Sequence, residues 1–163
     1  MARPNPIRAI MESPLPSITY QRRLSFRPSY SDINYIYNKL NLYLFDNQLR
    51  VPSIEQGVRR KTWGFCQWED HYNPYTGSYC DIKLMDKWFC EHWFVNTLAH
   101  EMVHQYQWDI HRFDKYNGTM DKRGGAHGPD FFMWRERFAH YGLHLKTSHG
   151  MKRWFRHQDF NKC

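Results

Sequence analysis

The segment His100-Glu101-Met102-Val103-His104 sets two imidazoles and a carboxylate at a spacing that suits metal-assisted hydrolysis. On an α-helix, positions four apart lie about one turn above each other, so both rings can face one ion. Glu101 then falls on the flank, where a metal-bound water would sit. Zinc suits the pair: it lowers the pKa of its water to about 7, and a carboxylate beside it takes the proton as the water attacks a carbonyl. With 10 His and 6 Glu among 163 residues, about 0.02 accidental matches to His-Glu-x-x-His are expected. That count favours a metal site over two histidines on a solvated helix face.

A catalytic zinc takes three protein ligands and keeps one position open. Downstream stand His111, Asp114, Asp121, His127, Asp130, Glu136, His140 and His144. His111 falls one residue out of place for a His-x-x-Gly-x-x-His extension, and Gln107 stands where its glycine belongs. Glu136 lies in the charged run Arg135-Glu136-Arg137, where pairing with the neighbouring arginines accounts for it. His127 has the best physical case. It precedes Gly128-Pro129-Asp130, a stiff helix start that fixes the ring's direction, and the glycines before it let the backbone approach an ion. An ordinary loop histidine is the alternative. For Asp130 a helix-dipole role is favoured over ligation.

His100-Glu-Met-Val-His104 followed by His127-Gly-Pro-Asp-Phe131 resembles the SprT/Spartan group of zinc metallopeptidases, whose signature is His-Glu-x-x-His, a loop, then His-Gly-x-x-Phe. Leu44-Phe45-Asp46-Asn47-Gln48-Leu49 at a helix end, Lys61-Thr62-Trp63-Gly64-Phe65, and a strand before the motif helix agree loosely, so the likeness covers about residues 30 to 145. The resemblance implies zinc held by His100, His104 and His127, with Glu101 as catalytic base. It also implies a link to DNA, since Spartan-type members cut proteins crosslinked to DNA. The chain departs from the pattern in a longer loop between the second and third ligands. Its tail has one cysteine and cannot form the zinc ribbon that many members carry.

Several elements must position these residues. Residues 1–28 hold five of the eight prolines and five arginines, and read as an extended or mobile basic arm. Ile33, Ile36, Leu40, Tyr43 and Leu44 share a helical face, with Ser31 or Asp32 as cap and Asp46-Asn47 as stop. Strands are expected over 53–58, 62–68 and 79–85. The turn chemistry of Asn73-Pro-Tyr-Thr-Gly77 makes the last two an antiparallel pair. A helix from Lys87 to Trp108 carries the motif, with Leu98, Met102, Val95 and Ala99 on its apolar side. Residues 109–126 read as a loop. A last helix runs from Pro129 to Tyr141, capped by Gly142, with Phe131, Trp134, Phe138 and Tyr141 as its buried stripe. The fold class is α+β: a small zincin-like, SprT-type domain over 29–145. It has a short antiparallel or mixed sheet packed on the motif helix, and two further helices.

Net charge is +7 and the pI near 9.3, so an acidic partner is expected, nucleic acid before a membrane surface. The tail, 146–163, interleaves Lys146, Lys152, Arg153, Arg156 and Lys162 with Trp154, Phe155 and Phe160. Lys152, Arg153, Trp154 and Arg156 suit single-stranded or frayed DNA, the cations neutralising phosphate and the rings stacking on bases. A segment packed by its aromatics onto the domain fits equally well. Arg59-Arg60-Lys61 reads as a solvated turn. Cys66, Cys80, Cys90 and Cys163 contain no Cys-x-x-Cys pair and read as reduced thiols. The N-terminus lacks the apolar run of a signal peptide, and no window approaches about 18 apolar residues. The expectation is a cytoplasmic protein, nucleoid- or nucleus-associated where it meets DNA, with no membrane span.

The leading reading is a zinc-dependent endopeptidase acting on proteins at or near DNA, with the strand at 79–85 bordering its cleft. A second is a non-catalytic DNA- or protein-binding module that keeps zinc as a structural clip. Zinc hydrolysis of another acyl group is a third.

Overall fold

The computed structural model of the chain describes residues 2–15, 24–57, 62–111 and 127–147, with the backbone alone at 18–20 and 154–156. Its first segment departs from the expected extended arm. Pro6–Met11 is a helix, α1, because the Asn5 side chain accepts from the Ile7 and Arg8 amides and Pro6 presets φ in the first turn. Ile7 is fully buried and ties α1 to the core. The prolines there punctuate the chain and leave room for a helix between them. A short strand, β1 (Ile18–Tyr20), follows.

The next helix, α2 (Tyr30–Phe45), starts at Ser29 and not at the expected caps Ser31 or Asp32. Ser29 Oγ accepts from the Asp32 amide at 3.0 Å, and Asp32 Oδ2 accepts from the Ser29 amide at 2.9 Å, a reciprocal box. Asp46 and Asn47 end the helix with left-handed φ values of 53° and 59°.

Three strands, β2 (Ser53–Gly57), β3 (Gly64–Trp68) and β4 (Cys80–Met85), form a mixed sheet in the order β2-β4-β3. The expected antiparallel pair is β3 with β4, and β2 runs parallel to β4. Hence β4 is hydrogen-bonded on both sides and has no free main-chain edge to hold an extended substrate, as a strand bordering the cleft was expected to do. Among the described residues β2 and β3 each keep an edge with no strand partner, and that of β3 is the one beside Glu101 of the motif helix. The Glu69 amide donates to the Tyr79 carbonyl and the Met85 amide to the Trp63 carbonyl, each at 2.9 Å. Bonded and non-bonded pairs alternate in an antiparallel ladder, so Phe65 and Gln67 turn their main-chain groups to β4. Gly64, Cys66 and Trp68 turn theirs outward along the sheet edge, where Thr62 Oγ1 takes both groups of Gly64 and Glu101 takes the Cys66 amide.

The motif helix, α3 (Glu91–Asp109), begins four residues later than expected. Trp88 is drawn into a bridge with Phe26, its amide donating to the Phe26 carbonyl at 2.9 Å. From His92 to Val103 every residue is buried, so α3 is wrapped on all sides and not apolar along one. Trp63, Trp88, Phe89 and Trp93 pack around its start with ring centroids 5.1–5.8 Å apart. Burying side chains of this size stabilises by about 1.5–3 kcal/mol each. Beside β3 the helix comes close enough to require glycine: a Cβ at Gly64 would lie 3.1 Å from the Lys83 carbonyl and 3.3 Å from Thr97 Cγ2. Further along, Asp109 accepts from Ser78 Oγ (2.7 Å) and the Tyr79 amide (2.8 Å), locking the end of α3 to the start of β4.

The expected helix from Pro129 to Tyr141 is two: α4 (Pro129–Phe132) and α5 (Arg135–His140). The Trp134 amide reaches only Phe131, three residues back, at 3.4 Å, while the Trp134 ring packs against Phe45 and Tyr106 with centroids 4.8 Å apart. Gly142 takes the anticipated left-handed cap at φ 79°. Arg137 Nη1 donates to the Leu44 carbonyl at 2.7 Å, joining α5 to the end of α2. Finally β5 (Trp154–Arg156) pairs antiparallel with β1, setting Tyr20 opposite Trp154 and Ile18 opposite Arg156. The architecture is α+β, with the mixed sheet and more helices than expected around α3. Among the described residues, no helix is long and apolar enough to cross a membrane.

Candidate metal centre

His100 and His104 stand one turn apart on α3, with ring centroids 5.0 Å apart. His127, brought to them by the stiff start of α4, has its centroid 4.8 Å from His104 and 5.5 Å from His100. One nitrogen from each of the three lies within 4.8 Å of the others, and the group has three members among the described residues. That is the number a catalytic zinc takes from its protein.

The nitrogens fit a cation on chemistry as well as spacing. His104 Nδ1 lies 2.8 Å from Gln107 Oε1, and an amide oxygen only accepts, so Nδ1 carries the hydrogen. The lone pair of His104 therefore sits on Nε2, which lies 3.2 Å from His127 Nε2. Two imidazole nitrogens bound to zinc at tetrahedral angles stand about 3.3 Å apart. Burial holds the His104 imidazole down to about 4 and lowers His127 as well, which keeps both rings in the neutral, ligating form.

Phe131 makes the floor. Its ring lies 4.9, 4.8 and 4.8 Å from the rings of His100, His104 and His127. It is fully buried and shields the cluster from the core side. The sequence places Phe131 in the His-Gly-x-x-Phe signature and in a buried stripe without assigning it to the metal site, and Gln107 only where a glycine would belong. Both had usable signals: Phe131 is four residues past His127, and Gln107 is three past His104, which puts it on the same helix face.

Glu101 is 5% exposed and accepts from the Cys66 amide, one of the outward-turned groups of β3. Burial pushes its carboxyl up to about 8, against the smaller pull of that hydrogen bond. A divalent cation beside it acts in the opposite direction. A proton acceptor thus lies where the helix meets the free sheet edge.

The other candidates lie elsewhere. The His111 ring packs on Tyr106 at 5.0 Å. Glu136 is exposed, and the His144 amide donates to Asn96 Oδ1 at 2.7 Å. The Tyr106 hydroxyl donates to Gln48 Oε1 at 3.0 Å, and Tyr141 packs on Tyr43. Cys66, Cys80 and Cys90 are free thiols, as expected. Asp114, Asp121, Arg59-Arg60-Lys61, Lys152, Arg153 and most of the loop 109–126 lie outside the described residues.

Replacing Gln107 by Leu is expected to weaken zinc binding by about 10- to 100-fold, because the ring loses the acceptor that fixes its tautomer. Competition against a fluorescent chelator measures it, and unchanged affinity would remove Gln107 from the site.

A family model described as the SprT-like family matches residues 33–149, well over half of the chain. Among curated proteins no significant match is found.

Proposed function

The chain belongs to the SprT-like family, and from that premise we propose that it is a zinc-dependent endopeptidase acting on DNA-associated or DNA-crosslinked proteins. The observation that carries the reading is the three-histidine cluster with a buried carboxylate at its flank. An ion held by His100, His104 and His127 would supply Lewis acidity toward a substrate carbonyl and acidify a water. The residues of the chain then have separable tasks. Gln107 holds the His104 ring in its ligating tautomer. Phe131 keeps water from the core side. The Cys66 carbonyl and the outward amide and carbonyl of Trp68 receive an extended polypeptide by strand addition, which lays a peptide bond beside Glu101. Glu101 removes the proton from the attacking water and returns it to the leaving amine.

The reading is tested by incubating the zinc-reconstituted chain with an unfolded basic protein and sequencing new termini by mass spectrometry. Cleavage should appear and vanish on chelation. A fully loaded chain that cuts nothing would sink it.

The DNA part rests on the charge of +7 and on the basic, aromatic composition of the tail, in which Trp154–Arg156 forms a strand paired with β1. Affinity for single-stranded DNA is expected to fall steeply with salt. Neutralising Lys152, Arg153 and Arg156 together should reduce the log–log salt slope by about 2, at roughly 0.7 per phosphate contact. Fluorescence anisotropy across a salt series measures the slope, and an unaltered slope would move the contact elsewhere.

A further inference from the structure

Along the edge of β3 that has no strand partner among the described residues, two residues beyond Cys66, an indole stands in solvent. Trp68 is 42% exposed, although its ring lies flat on Trp108 of α3, centroids 4.0 Å apart and planes 15° off parallel. Stacking on a residue of the motif helix makes the outer face of Trp68 a fixed aromatic surface. Its place is set by the ladder: Cys66 donates to Glu101, and Trp68 comes about 7 Å further along the strand. Its main-chain groups also point outward. A polypeptide hydrogen-bonded to this edge brings side chains to within about 5 Å of those directly opposite.

The stretch of chain that carries Trp68 differs in charge from the whole. Residues 62–82 contain Glu69, Asp70 and Asp81 and no lysine or arginine, in a protein of net charge +7. Glu69 and Asp70 follow Trp68 directly and both are exposed. An acidic rim repels phosphate and attracts cationic peptide, which decides between the two kinds of ring that stack on indole.

We infer that Trp68 and Trp108 form a substrate subsite, a shelf that takes an aromatic side chain about two residues from the bond beside Glu101 and favours lysine or arginine next to it. The inference rests on the peptidase reading above and gives that activity a sequence preference. Basic, aromatic-containing segments are what it selects from a substrate.

The test uses fluorescein-labelled peptides of equal length with lysine flanks, carrying Phe or Ala at one position at a time. Binding is read by anisotropy with the zinc-loaded Glu101→Gln chain, and cleavage with the unsubstituted one. At one position Phe should be preferred over Ala by about tenfold, the scale of one stacked and buried ring. The preference should fall to about one in Trp68→Ala, persist in Trp68→Phe, and lie in KM and not in kcat. Glu69→Gln with Asp70→Asn should halve or further reduce the advantage of lysine over glutamine flanks. A Phe preference that survives Trp68→Ala overturns the shelf, as does equal weakening of the Phe and Ala peptides. So does an oligo(dT) whose affinity falls with Trp68→Ala as far as the Phe peptide's. Selective binding by the Glu101→Gln chain, with no cleavage by the unsubstituted one, would instead discard the peptidase reading and leave the shelf standing.

Discussion

Glu101→Gln is expected to lower kcat/KM for peptide cleavage by about a thousandfold, the middle of the range for losing a positioned acid–base group. Zinc content should stay at that of the unsubstituted chain. The two outcomes separate because Glu101 is not a member of the ligand group, which comprises His100, His104 and His127. Glutamine keeps the size of the side chain and an oxygen to accept from the Cys66 amide. The fold should lose nothing. A carboxylate 5% exposed costs desolvation, and a neutral amide of the same shape is easier to bury. Elemental analysis, a thermal melt and peptide kinetics on one preparation read all three quantities. A variant that cleaves at an undiminished rate would take the proton-transfer role away from Glu101, and one that loses zinc would make it a ligand.

His127→Ala should abolish most of the stabilisation that zinc confers. At free zinc about 1,000 times Kd, binding to the folded state alone contributes about 4 kcal/mol. For a chain of 163 residues that corresponds to a rise in Tm of roughly 8–16 °C. With His127 removed, two donors one turn apart on α3 remain, and the rise should shrink to less than half. The melt in chelator should scarcely change, since His127 is half-buried and its ring meets only the histidine pair and Phe131 among the described residues. Scanning calorimetry in a zinc buffer and in chelator measures both shifts. Equal shifts for the two proteins would exclude His127 as a ligand.

The residues of the candidate metal centre were legible in the sequence because their arrangement is local. Four-residue spacing on a helix puts His100 and His104 on one face whatever surrounds it. Gly128-Pro129 aims His127 through constraints on its own backbone. The antiparallel pairing of β3 and β4 followed from the turn chemistry between them, and the stop of α2 from Asp46-Asn47. The break between α4 and α5 was hidden, since the apolar spacing of Phe131, Trp134 and Phe138 is helical throughout. It is the packing of Trp134 on Phe45 and Tyr106 that tightens the turn.

Which strand lies at the sheet edge beside Glu101 was decided by tertiary structure alone. The alternation in Cys80–Met85 describes a strand with one apolar face and is silent on how many neighbours that strand has. β2 reaches the far side of β4 by a parallel pairing between residues that lie 28 apart in the chain, as Ser53 and Asp81 do. That pairing makes β4 the central strand and leaves β3, the strand beside Glu101, at an edge of the sheet. The same holds for Gly64, whose missing Cβ matters only because Thr97 arrives from α3, and for Trp68, which becomes a shelf only where Trp108 lies beneath it. Chemical identity and local geometry are properties of neighbouring residues. Sheet order and the burial of one element by another depend on contacts between distant ones, and these form only as the chain collapses around α3.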